Sequence, residues 1–135
     1  MMKYLVGYTG SEEAKAALYL ARDYAESSNA RVFVVTSMGG GRSEKPEKIN
    51  KAAQDLAFAE QFLKEKGIDC ESHQLARGLS PGEDLVNFAE ENEIDQIFIG
   101  VEKVSRTQKI ILGSNAQYII LKAPCPVVTV KKYSR

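Results

Sequence analysis

The sequence contains few of the residues from which metal sites and disulfide frameworks are built. It has two cysteines, Cys70 and Cys125, in no CxxC pair, and one histidine, His73. Two isolated thiols argue against a disulfide framework and a thiolate metal site. A single imidazole argues against a histidine-rich zinc site. We therefore predict that the protein has no metal centre.

An excess of charge of one sign is also missing. Lys and Arg number 18, Asp and Glu number 18, and the formal net charge is zero. Duplex-binding proteins and anionic membrane surfaces both call for clustered basic residues. No apolar run approaches the roughly 20 residues of a membrane span, and residues 1–4 do not resemble the start of a signal peptide. We expect no nucleic-acid partner, no membrane partner and a cytoplasmic location.

What the sequence does contain is a regular alternation of strand and helix patterns. Its 135 residues fit a single domain, 1–135. Apolar runs that are typical of buried strands lie at 3–8, 32–35, 97–100 and 127–130. The polar alternation of 70–76 indicates an edge strand. Five strands that alternate with helices predict an α/β fold with a parallel sheet and right-handed crossovers.

The helices are predicted from their start signals. Ser11 and Ser80 are good N-caps, and Pro46 is tolerated in a first helical turn. Acidic residues in a first turn complement the positive end of the helix dipole. We therefore interpret Glu83 and Asp84 as residues that stabilise a helix start, not as catalytic acids.

The segments that follow the strands are the candidate binding sites, because ligands of such sheets lie outside the carboxyl ends of the strands. Gly100 ends the fourth predicted strand, and Gly113 and Ser114 open the last helix. Glycine lets the backbone approach a ligand, and a helix N-terminus offers free N–H groups. Two interpretations stay open, a phosphate cradle with Lys103 nearby or an ordinary turn and cap.

Two stretches near the C-terminal end form a specific combined pattern. Gly100 to Ser114 has the form G-x2-G-x9-G-[ST] with Lys103 at the second glycine, and residues 123–127 read A-P-C-P-V. This pattern resembles the C-terminal signature of the universal stress protein family, and residues 5–14 are similar to the family's first strand, turn and helix. The resemblance covers the whole chain. It implies a five-stranded parallel sheet of order 3-2-1-4-5 with helices on both faces, as in adenine nucleotide alpha hydrolase-like proteins.

The resemblance implies an adenine-nucleotide-binding regulatory or stress-response protein that works as a homodimer. The implied ligand is ATP, either alone or with Mg²⁺, with its ribose near Thr9 and its phosphates on Gly113 and Ser114. Carried over by position, the nucleotide contacts are Gly7, Tyr8, Thr9, Ser37, Gly100, Lys103, Gly113, Ser114 and Asn115. No catalytic residue is assigned. Slow ATP hydrolysis or self-phosphorylation, with Ser114 as the first hydroxyl to test, is the most activity that the resemblance implies.

Two residues depart from the family pattern and leave two functions open. Thr9 stands where nucleotide-binding members usually have Asp, and Lys103 stands in place of a glycine. Thr9 can hydrogen-bond but carries no charge, while Lys103 either blocks the loop or supplies an ammonium group to the phosphates. The alternative function is a nucleotide-free protein–protein interaction module. The loop 39–42 is likewise either a flexible connector or a lid over the nucleotide.

The last predicted strand carries the expectation of a dimer. Its residues are Val127, Val128, Thr129 and Val130. Three valines make it too apolar for an exposed sheet edge, and pairing with a second copy of itself about a two-fold axis would cover that edge. We therefore predict a homodimer through this strand.

Overall fold

The computed structural model describes residues 1–102 and 112–131 of the protein. Its strands are β1 (Lys3–Gly7), β2 (Arg31–Ser37), β3 (Cys70–Leu75), β4 (Gln96–Val101) and β5 (Val127–Lys131). Its helices are α1 (Glu12–Ser28), α2 (Pro46–Lys64), α3 (Pro81–Glu91) and α4 (Ser114–Lys122). A short 3-10 helix, Gly41–Ser43, precedes α2. Lys103 lies outside the described residues, and none of the helices described is long and apolar enough to cross a membrane.

The strands form one parallel sheet in the order β3-β2-β1-β4-β5, which confirms the predicted fold. In the register, Leu5 of β1 pairs with Phe33 of β2 on one side and with Ile97 of β4 on the other. The chain builds outward from β1 to β3 and then returns to the other side of β1 with β4. The carboxyl ends of β1 and β4 therefore flank the topological switch point, where ligands bind in open sheets of this kind.

Side chains of the central strands alternate between two separate cores. Val6 and Phe98 pack with α1 and α2 on one face, whereas Leu5 and Ile97 pack with α3 and α4 on the other. All four are fully buried. Strands that are covered on both faces have no solvent-exposed face that requires polar side chains, which explains why β1, β2 and β4 contain continuous apolar runs.

The helix starts lie where the sequence signals predict them. The hydroxyl of Ser11 accepts a hydrogen bond from the Ala14 N–H at 3.1 Å, and the hydroxyl of Ser80 accepts one from the Glu83 N–H at 3.5 Å. Pro46 is the first residue of α2. Because each helix follows a parallel strand, α1 and α3 begin near the carboxyl edge of the sheet and direct their first turns toward it.

Candidate functional site

A cavity of about 200 Å³ lies at the switch point, between the carboxyl ends of β1, β2 and β4 and the first turns of α1, α3 and α4. Its lining residues are Gly7, Tyr8, Thr9, Ser11, Ala14, Val35, Ser37, Pro81, Leu85, Ile99, Gly100, Asn115, Ala116 and Ile119. The walls are mainly apolar, and hydroxyl and amide groups are few. This composition suits a flat apolar group that is oriented by a small number of hydrogen bonds.

The cavity brings together most of the residues predicted to contact a nucleotide. Six of the nine line it, namely Gly7, Tyr8, Thr9, Ser37, Gly100 and Asn115. Gly113 and Ser114 directly precede Asn115 at the start of α4 but are not part of the lining. Lys103 falls in the segment that the structure does not describe.

Gly100 has a packing role that is independent of any ligand. A Cβ atom added to it would lie 2.3 Å from the carbonyl carbon of Glu13 and 2.6 Å from the backbone nitrogen of Ala14. Those atoms belong to the backbone of α1, which cannot move aside cheaply. Glycine here therefore allows the first turn of α1 to rest directly on β4, and this contact forms one wall of the cavity.

Gly113 differs from Gly100 in this respect. It is exposed, and no described atom would lie within 4 Å of a Cβ added to it. It is the N-cap of α4 and supplies no side-chain hydrogen bond to the first turn. The free N–H groups of a first turn attract anions. No described residue other than its chain neighbours fills the space in front of Gly113, so the first turn of α4 is accessible on that side.

Asn115 connects the starts of two helices. Its side-chain oxygen accepts a hydrogen bond from the backbone N–H of Gly82 at 2.9 Å. A Cβ on Gly82 would lie 3.1 Å from the carbonyl oxygen of Asn115, so the two backbones are in close contact. The bond holds the first turns of α3 and α4 together at the cavity. The side-chain amide nitrogen of Asn115 keeps two N–H donors that this bond does not use.

Thr9 and Ser11 form the rim of the cavity beside β1. The side chain of Thr9 is exposed, and its hydroxyl donates to the hydroxyl of Ser11 at 3.0 Å. Ser11 in turn caps α1. Thr9 therefore lies beside the opening and is held there by the cap residue, and it does not fill the cavity.

A buried carboxylate lies behind the wall at Ser37. Asp84 of α3 is fully buried, and its Oδ2 accepts a hydrogen bond from the Ser37 hydroxyl at 2.7 Å. Its Oδ1 accepts from Nε of Arg77 at 2.6 Å, and the same guanidinium reaches Glu91 at 2.9 Å. The hydrogen bond to Glu91, followed by that to Asp84, raises the pKa of Arg77 against the effect of desolvation. The guanidinium thus neutralises the carboxylate.

The sequence reasoning missed this pair. The prediction that Asp84 lies in the first turn of a helix is confirmed, but the sequence interpretation did not include its burial and its contact with Arg77. A signal for this was present, since Asp84 lies four residues before the buried Phe88 and next to the buried Leu85. Residues at that spacing share one face of a helix. A carboxylate on an apolar face requires a hydrogen-bonding or charged partner, and Arg77 reaches it from the exposed side of the fold.

A second cavity of about 400 Å³ shares Thr9 and Ser37 with the first. Charged residues of both signs line its other side, and Lys51 pairs with Asp55 at 2.8 Å. The side chain of Lys51 is largely exposed, so the ion pair is well hydrated. Among the residues described, no group of three or more His, Cys, Asp or Glu side chains is arranged to hold a metal ion.

Tyr8 contributes to the cavity wall, while its hydroxyl is buried in the core under α1 and α2. The hydroxyl has no hydrogen-bond partner within the described part of the chain. Burial, with the nearby charge of Asp55 as the next contribution, raises the pKa of Tyr8 to about 12. The phenol therefore stays protonated throughout the neutral range, and Tyr8 serves as a core residue with its backbone at the site.

Known proteins resemble this chain over nearly its whole length. The model of the universal stress protein family matches residues 1–131. A universal stress protein structure from Archaeoglobus fulgidus is 37% identical, with a TM-score of 0.86 and coverage of 97% of this chain and 98% of that one. A structure of the universal stress protein from the same organism in complex with dAMP is 34% identical, with a TM-score of 0.80 and the same coverage. A universal stress protein of Methanocaldococcus jannaschii is 30% identical over 128 residues, which is 90% of this chain and 74% of that protein.

Proposed function

Because the chain belongs to the universal stress protein family, we propose that it is an adenine-nucleotide-binding regulatory or stress-response protein. The observation that carries this proposal is the apolar cavity at the switch point, which leads to the open N-terminus of α4 at Gly113. The similarity to a structure in complex with dAMP supports the same ligand class. The cytoplasmic location stays a prediction from the sequence.

The base would occupy the apolar part of the cavity. Val35, Leu85 and Ile119 supply walls that can contact the faces of a purine. Ser37 lies at the end of this region, where a polar edge of the base needs a partner. The ribose would lie at the rim, where the Thr9 hydroxyl is within reach of the opening.

The phosphates would extend toward the first turn of α4. Gly113 leaves that approach open on the side of the described residues, and the N–H groups at 114–116 form the positive end of the helix dipole. ATP is the ligand that we propose, because the free N–H groups of this helix start, whose first turn lines the cavity, can hold its phosphates.

The test is calorimetric titration of nucleotide-stripped protein with Mg-ATP. We expect micromolar binding by the wild type and loss of binding by Gly113→Val, whose side chain would fill the phosphate approach. Lys122→Ala, at the exposed far end of the same helix, is the matched control and should bind like the wild type. Thermal melting of all three proteins would separate a blocked site from a damaged fold.

Failure to bind ATP at millimolar concentration would contradict this proposal. The cavity would then have no nucleotide role, and the alternative function, a nucleotide-free interaction module, would be favoured. Retained binding by Gly113→Val would contradict only the placement of the phosphates at α4.

We also propose that the protein works as a homodimer through β5. That strand pairs with β4 on one side, and Thr129 on it is exposed. The neighbouring α4 presents Leu121, which is 78% exposed, and Tyr118 beside it. Apolar side chains next to an unpaired strand edge favour association with a second copy.

A further inference from the structure

We propose that Ser37 selects ligands whose base carries an exocyclic amino group, and that Asp84 is the positioning residue that gives Ser37 this preference. The inference rests on the proposed nucleotide site and specifies which bases that site accepts. Ser37 would be the specificity-determining residue, since it lines the cavity, while Asp84 lies behind it without contacting the ligand.

The hydrogen bond between the two side chains has a fixed direction. Asp84 is fully buried and its Oδ1 is bonded to the guanidinium of Arg77, which holds its protons at any ordinary pH. A carboxylate paired in this way can only accept hydrogen bonds. The 2.7 Å contact between Ser37 Oγ and Asp84 Oδ2 therefore uses the one proton of the serine hydroxyl.

The direction of this bond limits what the Ser37 hydroxyl can offer to a ligand. Serine has one donor and two acceptor lone pairs. With its proton directed at Asp84, Ser37 can offer only an acceptor to a group in the cavity. Ser37 is half-buried, so a ligand group in contact with it would be largely removed from water.

The group at C6 of the purine decides whether the ligand matches this acceptor. The amino group at C6 of adenine is a donor and matches an acceptor-only hydroxyl. The oxo group at C6 of hypoxanthine is an acceptor, and two facing acceptors with no water between them are unfavourable. A site built around a specific hydrogen bond discriminates strongly against a ligand that leaves its buried group unpaired. We expect ATP to bind about tenfold to a hundredfold more tightly than ITP.

The experiment measures the affinities of ATP, ITP and the triphosphate of purine riboside by calorimetry. Purine riboside keeps the N1 acceptor of adenine and lacks only the amino group, so it isolates the contribution of that group. In the wild type we expect ATP to bind most tightly and ITP most weakly. In Ser37→Ala the preference for ATP over purine riboside triphosphate should fall by about tenfold.

A second variant tests the role of Asp84 directly. In Asp84→Asn the side-chain oxygen stays with Arg77, so the amide nitrogen faces Ser37 and donates to it. The serine proton is then free to point into the cavity, where it can donate to an oxo group. We expect ITP to gain affinity and ATP to lose it. The ratio of ATP to ITP affinity should therefore change more in Asp84→Asn than in Ser37→Ala.

Glu91→Gln is the matched control. Glu91 bonds the same guanidinium but lies outside the cavity, and its side chain is 56% exposed. This variant should keep the wild-type ratio of ATP to ITP affinity. Melting curves would confirm that each variant folds. If Asp84→Asn does not fold, Ser37→Ala alone still tests the inference.

The outcomes separate this inference from the proposed function. Absence of binding by every nucleotide would overturn both. Tight binding of ATP with the same ratio of ATP to purine riboside affinity in the wild type and in Ser37→Ala would overturn the role of Ser37 and leave the nucleotide site standing. A change in the ratio of ATP to ITP affinity that is as large in Glu91→Gln as in Asp84→Asn would also overturn the inference.

Discussion

Asp84 and Tyr8 both carry a polar group that is removed from water, but among the described residues only the Asp84 group has partners. The Asp84 carboxylate accepts hydrogen bonds from Ser37 and Arg77. The Tyr8 hydroxyl has no partner among the described residues. A satisfied buried charge and an unsatisfied buried hydroxyl respond in opposite ways to mutation, because the penalty for burial is already offset in the first and not in the second.

For Tyr8 we predict a dependence of stability on alkaline pH. Its pKa rises from the ordinary value of 10.0 to about 12 in the folded protein. Between these values the unfolded chain has lost a proton that the folded protein retains, so the free energy of unfolding falls as the pH rises through this window. Titration of tyrosinate absorbance should show a late component that belongs to Tyr8.

Tyr8→Phe should remove that late component and raise the free energy of unfolding at neutral pH by about 1 kcal/mol, because the ring stays and a buried hydroxyl without a partner among the described residues is removed. Tyr118→Phe, at a partly exposed position, is the control and should leave the late component in place. A late component that survives in Tyr8→Phe would show that the buried phenol is not its source.

For Arg77 we predict a large loss of stability on truncation. Arg77→Ala leaves the buried Asp84 carboxylate without its counter-charge, and breaking such a pair typically costs about 3 kcal/mol or more. Glu91→Gln removes only an exposed partner of the same guanidinium and should cost less than about 1 kcal/mol. Denaturant unfolding measures both. Equal losses in the two variants would mean that the Asp84 pair does not stabilise the fold.

At the scale of helices and strands, most of the architecture could be predicted from local signals. The continuous apolar runs identified the strands that are covered on both faces, and Ser11, Pro46 and Ser80 marked the helix starts. The strand order came from the resemblance to a family, since no local pattern encodes which strands are neighbours. The extent of β2 was underestimated, because the polar residues Arg31 and Ser37 at its ends still pair in the sheet.

The candidate site was predictable where it depends on strand ends and not where it depends on helix orientation. Thr9, Ser37 and Gly100 came from the family resemblance, and they line one cavity because parallel strands end at one edge of the sheet. Arg77 and Asp84 meet through the packing of α3 against the sheet, and a contact between a loop and a helix face has no spacing rule in the sequence. Gly100 and Gly113 show that one glycine signature can mix a packing requirement with a position that no other described residue crowds.

That mixture leads to a prediction for two glycines of the same signature. Gly100→Ala places a Cβ 2.3 Å from the backbone of α1, so the helix must shift, at a cost of about 1–3 kcal/mol. Gly113→Ala adds a methyl group to open space at an N-cap and should change stability by less than about 1 kcal/mol. Melting temperatures of the two variants measure the difference. Similar losses would contradict a purely structural role for Gly100 and an open position at Gly113.

At the scale of the whole molecule, the sheet has two edges that differ in character. The β3 edge carries charged and polar residues, including Glu71 and His73, whereas the β5 edge carries valines. The backbone N–H of Ile97 donates to the carbonyl of Pro126 at 3.0 Å, which sets the alternation along β5. By that alternation the backbone groups of Val128 point to β4 and those of Thr129 point away from the sheet, toward a partner strand.

This geometry gives a sharp test of the proposed dimer. Thr129→Pro removes an outward N–H without removing a bond to β4, and proline is tolerated at such a position of an edge strand. Light scattering should give a mass near twice 14.9 kDa for the wild type at micromolar concentration and near 14.9 kDa for Thr129→Pro. Thr129→Val keeps the N–H and should stay dimeric. A wild-type mass of 14.9 kDa would refute the dimer, and a dimeric Thr129→Pro would place the interface elsewhere, with the exposed Leu121 of α4 as the next residue to mutate.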